Sequence, residues 1–332
     1  MPSLAARTLK IMLKAGVKRD IRDPNELVRH LRLVMNAPLM PSNLPRGISL
    51  SKGRVGGVPG EWLSSKKPKV TLLYLHGGAF IGGRLQTYHR FCGVLAQALN
   101  ARVFMLDYRL APEHPYPAAT DDAFAAYSEL IGLDHPLIVA GDSAGGNLTL
   151  VTLQRARDQQ MAMPICAVAI SPGADATGTL MSLHANDHSD AMLSRAMIDT
   201  AVKIYLGDAD PCHPYASPSR GNFNGLPPLM ITVSEEECLR DDAYRVAHEA
   251  RKAKVHVTLL SRRRMPHVWP VFHSLLPEAR KDTTKMVEFM RRQLDHAGHL
   301  VASTSASRHK TLHPRAQAIA QKKFQEASEE SV

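Results

Sequence analysis

The sequence predicts an α/β fold, with a mainly parallel central sheet and helices on both faces. Three observations carry this. First, the runs Val70–Leu75, Arg102–Leu106, Leu137–Ala140, Ala167–Ile170, Met230–Val233 and Val255–Leu260 are short, apolar and of strand length. Second, amphipathic helical patterns at about 89–99, 118–131, 145–158, 191–206, 241–253 and 278–294 alternate with them. Strands separated by helices require right-handed crossovers, which build a parallel sheet covered on both sides. Third, several of the runs are followed by Gly, Asp or Ser, and in such sheets ligands bind beyond the carboxyl ends of the strands.

The chain has 332 residues, which at about 150 per domain allows two domains or one large unit. Apolar residues make up 44% and charged residues 22%, which excludes wholesale disorder, collagen and a disulfide miniprotein. No apolar run approaches the roughly 18 residues of a membrane span. Forty-one basic against 31 acidic residues leave a net charge of +10, compatible with anionic surfaces. That charge is spread along the chain, with a single Arg triplet at Arg262–Arg264, and no nucleic-acid-binding motif accompanies it. Cys92, Cys166, Cys212 and Cys238 are scattered without a C-x-x-C pair, as reduced thiols of a cytoplasmic protein would be. The basic N-terminus lacks an apolar stretch followed by a cleavage site, so no secretory signal is expected.

No internal repeat is visible. Residues 1–45 form a helical segment, with Leu4, Ile11, Met12, Ala15, Leu27, Leu31 and Val34 at helical spacing, ended by the Pro-rich stretch Pro38–Pro45. Residues 46–295 carry the alternating pattern. Within them, 173–217 is long, polar and rich in His and Asp, and reads as a lid-like excursion that joins the N-terminal segment as a cap. Residues 296–332 read as a polar tail, with one exposed helix near Ala316–Glu326.

The third run leads into Gly141-Asp142-Ser143-Ala144-Gly145-Gly146-Asn147 and then a helix. This is G-x-S-x-G in a strand–turn–helix setting, where a strained turn lifts the serine hydroxyl above the sheet. Gly141 and Gly145 are required because side chains there would collide. Ser143 is the candidate nucleophile, next to a helix N-terminus that favours negative charge. The first run leads into His76-Gly77-Gly78-Ala79-Phe80. A glycine-rich loop here can aim backbone amides at an oxyanion, and the candidate donors are Gly78, Ala79 and Ala144. Ala79 stands where lipases and esterases usually carry a third glycine, and a positive φ there would be costly.

These two segments, with Asp107-Tyr108-Arg109-Leu110-Ala111-Pro112-Glu113-His114-Pro115-Tyr116-Pro117-Ala118-Ala119, resemble the hormone-sensitive-lipase-like family of α/β-hydrolases over about residues 65–295. The resemblance implies the α/β-hydrolase fold with a helical cap and a carboxylester hydrolase without cofactors. In the third segment, Pro112, Pro115 and Pro117 are expected to fix an extended path, and Arg109 to pair with a carboxylate and brace the oxyanion loop.

In this fold the order along the chain is Ser, acid, His. His267, in Met265-Pro266-His267-Val268-Trp269 after the last strand, fits the family's histidine segment and is the candidate base. The family's D-x-L-x-D frame falls on Glu237-Cys238-Leu239-Arg240-Asp241, which favours Glu237 as the acid, with Asp241 and Glu236 as runners-up. Asp241 is expected instead to cap the next helix. His184 and His188, with Asp187 and Asp190 nearby, fit a polar lid better than a zinc site.

The expected substrate is a small ester with a short or medium acyl chain, and a lactone or acetyl ester would use the same groups. Two alternatives stand beside it: a non-catalytic small-ligand receptor on a hydrolase scaffold, and an amidase or deacetylase with the same triad. Nucleic acid is not an expected partner. The sequence leaves open membrane contact through the N-terminal segment and a homo-oligomer.

Overall fold

The structure, a computed structural model, describes residues 1–37, 42–133 and 135–298. Part of the Pro38–Pro45 stretch and most of the 296–332 tail, including Ala316–Glu326, lie outside the described residues. The chain forms two compact units, Met1–Met290 and Arg291–Val332. In the second, residues 291–298 are helical.

The first unit opens with two helices, α1 (Leu4–Gly16) and α2 (Pro24–Asn36). The Ser3 hydroxyl accepts the Ala6 amide at the start of α1. Asp23 does the same for Glu26 in α2, with Pro24 at the first helical position. A hairpin follows, β1 (Ser49–Val55) and β2 (Val58–Ser64), turned by Gly56 and Gly57, both with positive φ. The sequence reading missed it. β1 is mostly exposed and half polar, so it lacks an apolar run, although Gly-Gly between alternating residues is a hairpin signal.

The remaining elements are β3 (Val70–Leu75), α3 (Leu85–Leu99), β4 (Ala101–Leu106), α4 (Ala118–Ile131), β5 (Leu137–Asp142), α5 (Ala144–Asp158), β6 (Cys166–Ile170), α6 (Met181–Ala185), α7 (Arg195–Leu206), β7 (Leu229–Ser234), α8 (Arg240–Lys252) and β8 (Val257–Arg262). Residues 277–290 are helical. Each of the six expected strands is present, shifted by at most two residues at either end. The excursion between β6 and β7 holds α6 and α7, and α7 packs on α2.

The eight strands run in the order β1-β2-β4-β3-β5-β6-β7-β8. β1, β2 and β4 pair antiparallel, and every pair from β4 to β8 is parallel. Alternation along the buried strands splits the core. Leu73 and Leu75 of β3 join Ala123 and Tyr127 of α4 in one cluster, whereas Tyr74 packs against the rings of Tyr88, tilted, and Phe91, edge-on, of α3. From β3 the chain moves to β4 on one side, then returns to β5 on the other. The loops after β3 and β5 therefore leave in opposite directions and open a crevice between them. Both glycine-rich motifs border that crevice.

Candidate active site

Ser143 joins β5 to α5 with φ 54 and ψ −115, a sparsely populated conformation for a residue with a side chain. Three backbone bonds hold it there: its amide donates to the Ile170 carbonyl at 2.8 Å, and its carbonyl accepts the amides of Asn147 at 3.1 Å and Gly173 at 3.2 Å. A Cβ on Gly141 would strike the Gly145 carbonyl, and one on Gly145 would strike that of Leu75. Both glycines are thus required by close backbone approach.

The Ser143 hydroxyl donates to His267 Nε2 at 2.9 Å. His267 Nδ1 donates to Glu237 Oε2 at 2.6 Å, the tautomer an ionised carboxylate demands. The second Glu237 oxygen accepts the Ser234 amide at 2.8 Å. His267 and Glu237 are buried, 3% and 1% exposed, so water does not compete for these bonds. Burial alone would lower the His267 pKa. The hydrogen bond and charge of Glu237, with Asp190 and Asp142 beyond it, outweigh burial and raise it. Burial pushes the Glu237 carboxyl up, and its bond to His267 pulls it back.

The other two candidate acids lie elsewhere. Asp241 accepts the Ser182 amide at 2.8 Å and pairs with Arg240, which ties α8 to α6. It does not cap its helix: Leu239 is the N-cap residue, without a side-chain bond. Glu236 accepts the Arg264 amide and, at 3.4 Å, the Ser234 hydroxyl. Two residues of the excursion position the Glu237 loop and were not singled out for this from sequence. Asn186 Nδ2 donates to the carbonyls of Glu235 and Glu237, both at 2.9 Å. Asp190 accepts the Cys238 amide at 2.8 Å. No pattern marks such partners, because they lie about 50 residues from the loop they hold. Asp282 likewise fixes the histidine loop, binding Arg262 at 2.6 Å and the Trp269 indole at 3.1 Å.

After β3, Gly78, Ala79 and Phe80 have φ of 131, 55 and 61. Ala79 therefore adopts the positive φ that the sequence made costly, and the strain is held by its neighbours. The Gly78 carbonyl accepts the amides of Ile81 and Gly82, both at 3.0 Å. The Phe80 carbonyl accepts Ala111 at 2.8 Å, and its ring stacks on Tyr205 of α7 at 3.6 Å. The amides of Gly78, Ala79 and Ala144 meet no acceptor among the described residues. Gly77 is different: its amide donates to Asp142 Oδ1 at 3.1 Å. Asp142 is fully buried and also accepts the hydroxyls of Tyr74 at 2.7 Å and Tyr88 at 3.1 Å. Burial pushes its carboxyl up to about 6, against the lowering effect of those donors. His76 stacks on Tyr108, whose hydroxyl donates to the His76 carbonyl at 2.7 Å. Burial lowers its pKa to about 4, so the ring is neutral.

The glycine-rich loop after β3 is braced by Arg32 of α2, not by Arg109. Arg32 donates to the carbonyls of Ile81 at 3.0 Å and Ala111 at 3.2 Å, and clasps Glu113 with two bonds. Arg109 instead grips Asp122, which ties its segment to α4. That segment turns between Leu110 and His114 rather than running extended.

Two apolar cavities meet at Ser143. One of about 100 Å³ is bounded by Phe80, Ala144, Asn147, Ile198, Tyr205 and Ala216. The other, about 150 Å³, is bounded by Gly78, His267, Val268 and Phe272, and roofed by Leu13 and Val17. Among the described residues, no three His, Cys, Asp or Glu side chains gather in a metal-holding group. His184 contacts Arg195, and Asp187 accepts the Arg195 amide. No described helix is long and apolar enough to cross a membrane.

A family model of the α/β-hydrolase fold matches residues 72–271. The chain is 39% identical to an acetyl-hydrolase of Streptomyces hygroscopicus over 246 residues, 71% of this chain and 81% of that one. It is 34% identical to an esterase of Acinetobacter venetianus over 283 residues, 82% and 93% of the two chains. A solved esterase from the bacterial hormone-sensitive lipase family superposes with a TM-score of 0.80 at 33% identity, over 88% of this chain and 99% of that one. With the serine turn, the glycine-rich loop and the buried histidine around one crevice, the chain belongs to the α/β-hydrolase fold family, among the hormone-sensitive-lipase-like carboxylesterases.

Proposed function

We propose that the protein hydrolyses short- to medium-chain carboxylic esters through a covalent acyl-enzyme. The observation that carries this is the buried hydrogen-bonded chain from Ser143 through His267 to Glu237. Ser143 attacks the ester carbonyl as His267 Nε2 takes its proton. The C–O bond to the alcohol breaks as His267 returns that proton to the leaving oxygen. Water, activated by the same nitrogen, then releases the acid and restores Ser143. Glu237 holds the imidazole tautomer and stabilises the imidazolium. The free amides of Gly78, Ala79 and Ala144 form the oxyanion hole, where one donor is typically worth about 100- to 1000-fold in rate.

His267 borders the larger cavity and must reach the leaving oxygen, so that cavity takes the alcohol and the smaller one the acyl chain. The described part of residues 1–45, with residues 173–217, acts as the cap that roofs both. The receptor alternative gives this buried chain no task. Free cysteines at 92, 166, 212 and 238 support a cytoplasmic location.

The test is hydrolysis of p-nitrophenyl acetate, butyrate, hexanoate and hexadecanoate by wild type and Ser143→Ala. Butyrate and hexanoate should give higher kcat/KM than hexadecanoate, and Ser143→Ala should hydrolyse none. Turnover surviving in Ser143→Ala would contradict the proposal.

A further inference from the structure

Helix α1 has two apolar sides. The inner one, with Ala6 and Leu13, is buried, and Leu13 with Val17 just past the helix lines the cavity that reaches His267. The outer one is bare: Leu4 is 80% exposed, Ile11 71% and Met12 61%. Positions separated by seven and eight residues share one helical face. Single exposed leucines are ordinary on a protein surface, but a stripe of three on one helix is an unpartnered face.

The charge beside that stripe is one-sided. Residues 1–19 contain Arg7, Lys10, Lys14, Lys18 and Arg19 and no Asp or Glu. Arg7, Lys10 and Lys14 make no ion pair among the described residues. Lys18 lies 4.0 Å from Asp187 and also reaches main-chain oxygens of the excursion. Glu278, which bonds to this region, is occupied by the amide and hydroxyl of Ser3.

We infer that the outer face of α1 docks on an anionic lipid surface, with Leu4, Ile11 and Met12 entering the acyl boundary and Arg7, Lys10 and Lys14 facing the headgroups. An apolar stripe with a basic flank is the pattern of a helix that lies in a membrane interface. A second copy of the chain is a poorer occupant, because a two-fold contact would set one basic flank against another in a molecule of net charge +10. Docking brings the roof of the Ser143 cavity to the lipid, so an ester leaving the bilayer has a single helix to pass. The docking itself is independent of the reaction.

The test is co-sedimentation of the full chain with phosphatidylcholine vesicles, with and without phosphatidylserine. The wild type should sediment only with the anionic vesicles, and added salt should release it. Leu4→Ser/Ile11→Ser and Arg7→Glu/Lys10→Glu should each reduce the bound fraction at least about tenfold. Both should hydrolyse a water-soluble ester like the wild type, which shows that they fold. The proposal is overturned if the wild type stays in the supernatant, or if Leu4→Ser/Ile11→Ser binds unchanged. It is also overturned if sedimentation equilibrium shows a wild-type dimer that this variant dissociates, since a second copy would then cover the stripe.

Discussion

The carboxylate of Asp142 accepts the backbone amide of Gly77 at 3.1 Å. This bond crosses the crevice between β3 and β5 and couples the residue before Ser143 to the glycine-rich loop with the proposed oxyanion donors. It also explains why position 77 is glycine, since a Cβ there would strike that carboxylate.

Two substitutions separate the geometry of Asp142 from its charge. Asp142→Ala removes the Gly77 anchor, and kcat should fall about 100-fold with a smaller change in KM. Asp142→Asn keeps an acceptor for Gly77, so kcat should fall by only a few-fold. Its folded carboxyl titrates near 6, above the ordinary 3.8, so the folded state binds the extra proton. The contribution of Asp142 to stability therefore drops as pH rises through that window. Urea unfolding on either side of pH 6 should show Asp142→Asn gaining on the wild type as pH increases. A constant difference would show that the charge is not stored in the fold.

Glu237 and Asp241 should separate cleanly. Glu237→Gln leaves His267 without its ionised partner, and kcat should fall about 10⁴-fold. Asp241→Asn weakens the bond to Ser182 and should cost about 1 kcal/mol of stability with kcat almost intact. Steady-state kinetics and thermal melts of the two variants check this, and the reverse ranking would assign the acid to Asp241.

The pH profile follows from the raised pKa of His267. Only the neutral imidazole can take the Ser143 proton. As pH falls through the raised value, the ring protonates and kcat/KM is lost. The acid limb should thus bend above 6.5, the ordinary histidine value, and Asp142→Asn should move it to lower pH by removing one of the charges that raise it. A limb bending below 6.5 in the wild type would show that Glu237 does not hold the imidazolium.

Arg32 and Glu113 form a surface pair, but only Arg32 also reaches the carbonyls of Ile81 and Ala111. Arg32→Ala should lower kcat about tenfold by loosening the loop, whereas Glu113→Ala should have little effect, as exposed ion pairs contribute little. Equal losses in kcat would mean that the pair, rather than the main-chain bonds, holds the loop.

What the sequence made legible was local. Strands β3 to β7 are apolar runs buried on nearly every residue, β8 is a half-buried edge strand, and Ser143, the Gly78–Ala79 loop and His267 each sit beside a strand end that those runs mark. The partners that position the site lie far apart along the chain, where no local pattern marks them. Arg32 braces a loop about 50 residues away, and Asn186 and Asp190 hold the Glu237 loop from a similar distance. Arg109 pairs with a carboxylate as expected, but that carboxylate, Asp122, is 13 residues on in α4 and leaves the glycine-rich loop to Arg32. The positive φ of Ala79 was equally unreadable, since tertiary contacts hold what local propensity disfavours.

The account rests on Ser143 being the nucleophile, and covalent capture tests it most directly. Treatment with a fluorophosphonate, followed by mass spectrometry of the digested chain, should find a single adduct, on Ser143, formed in step with loss of esterase activity and absent from His267→Ala. A chain that hydrolyses esters but carries the adduct on another residue, or none at all, would contradict it.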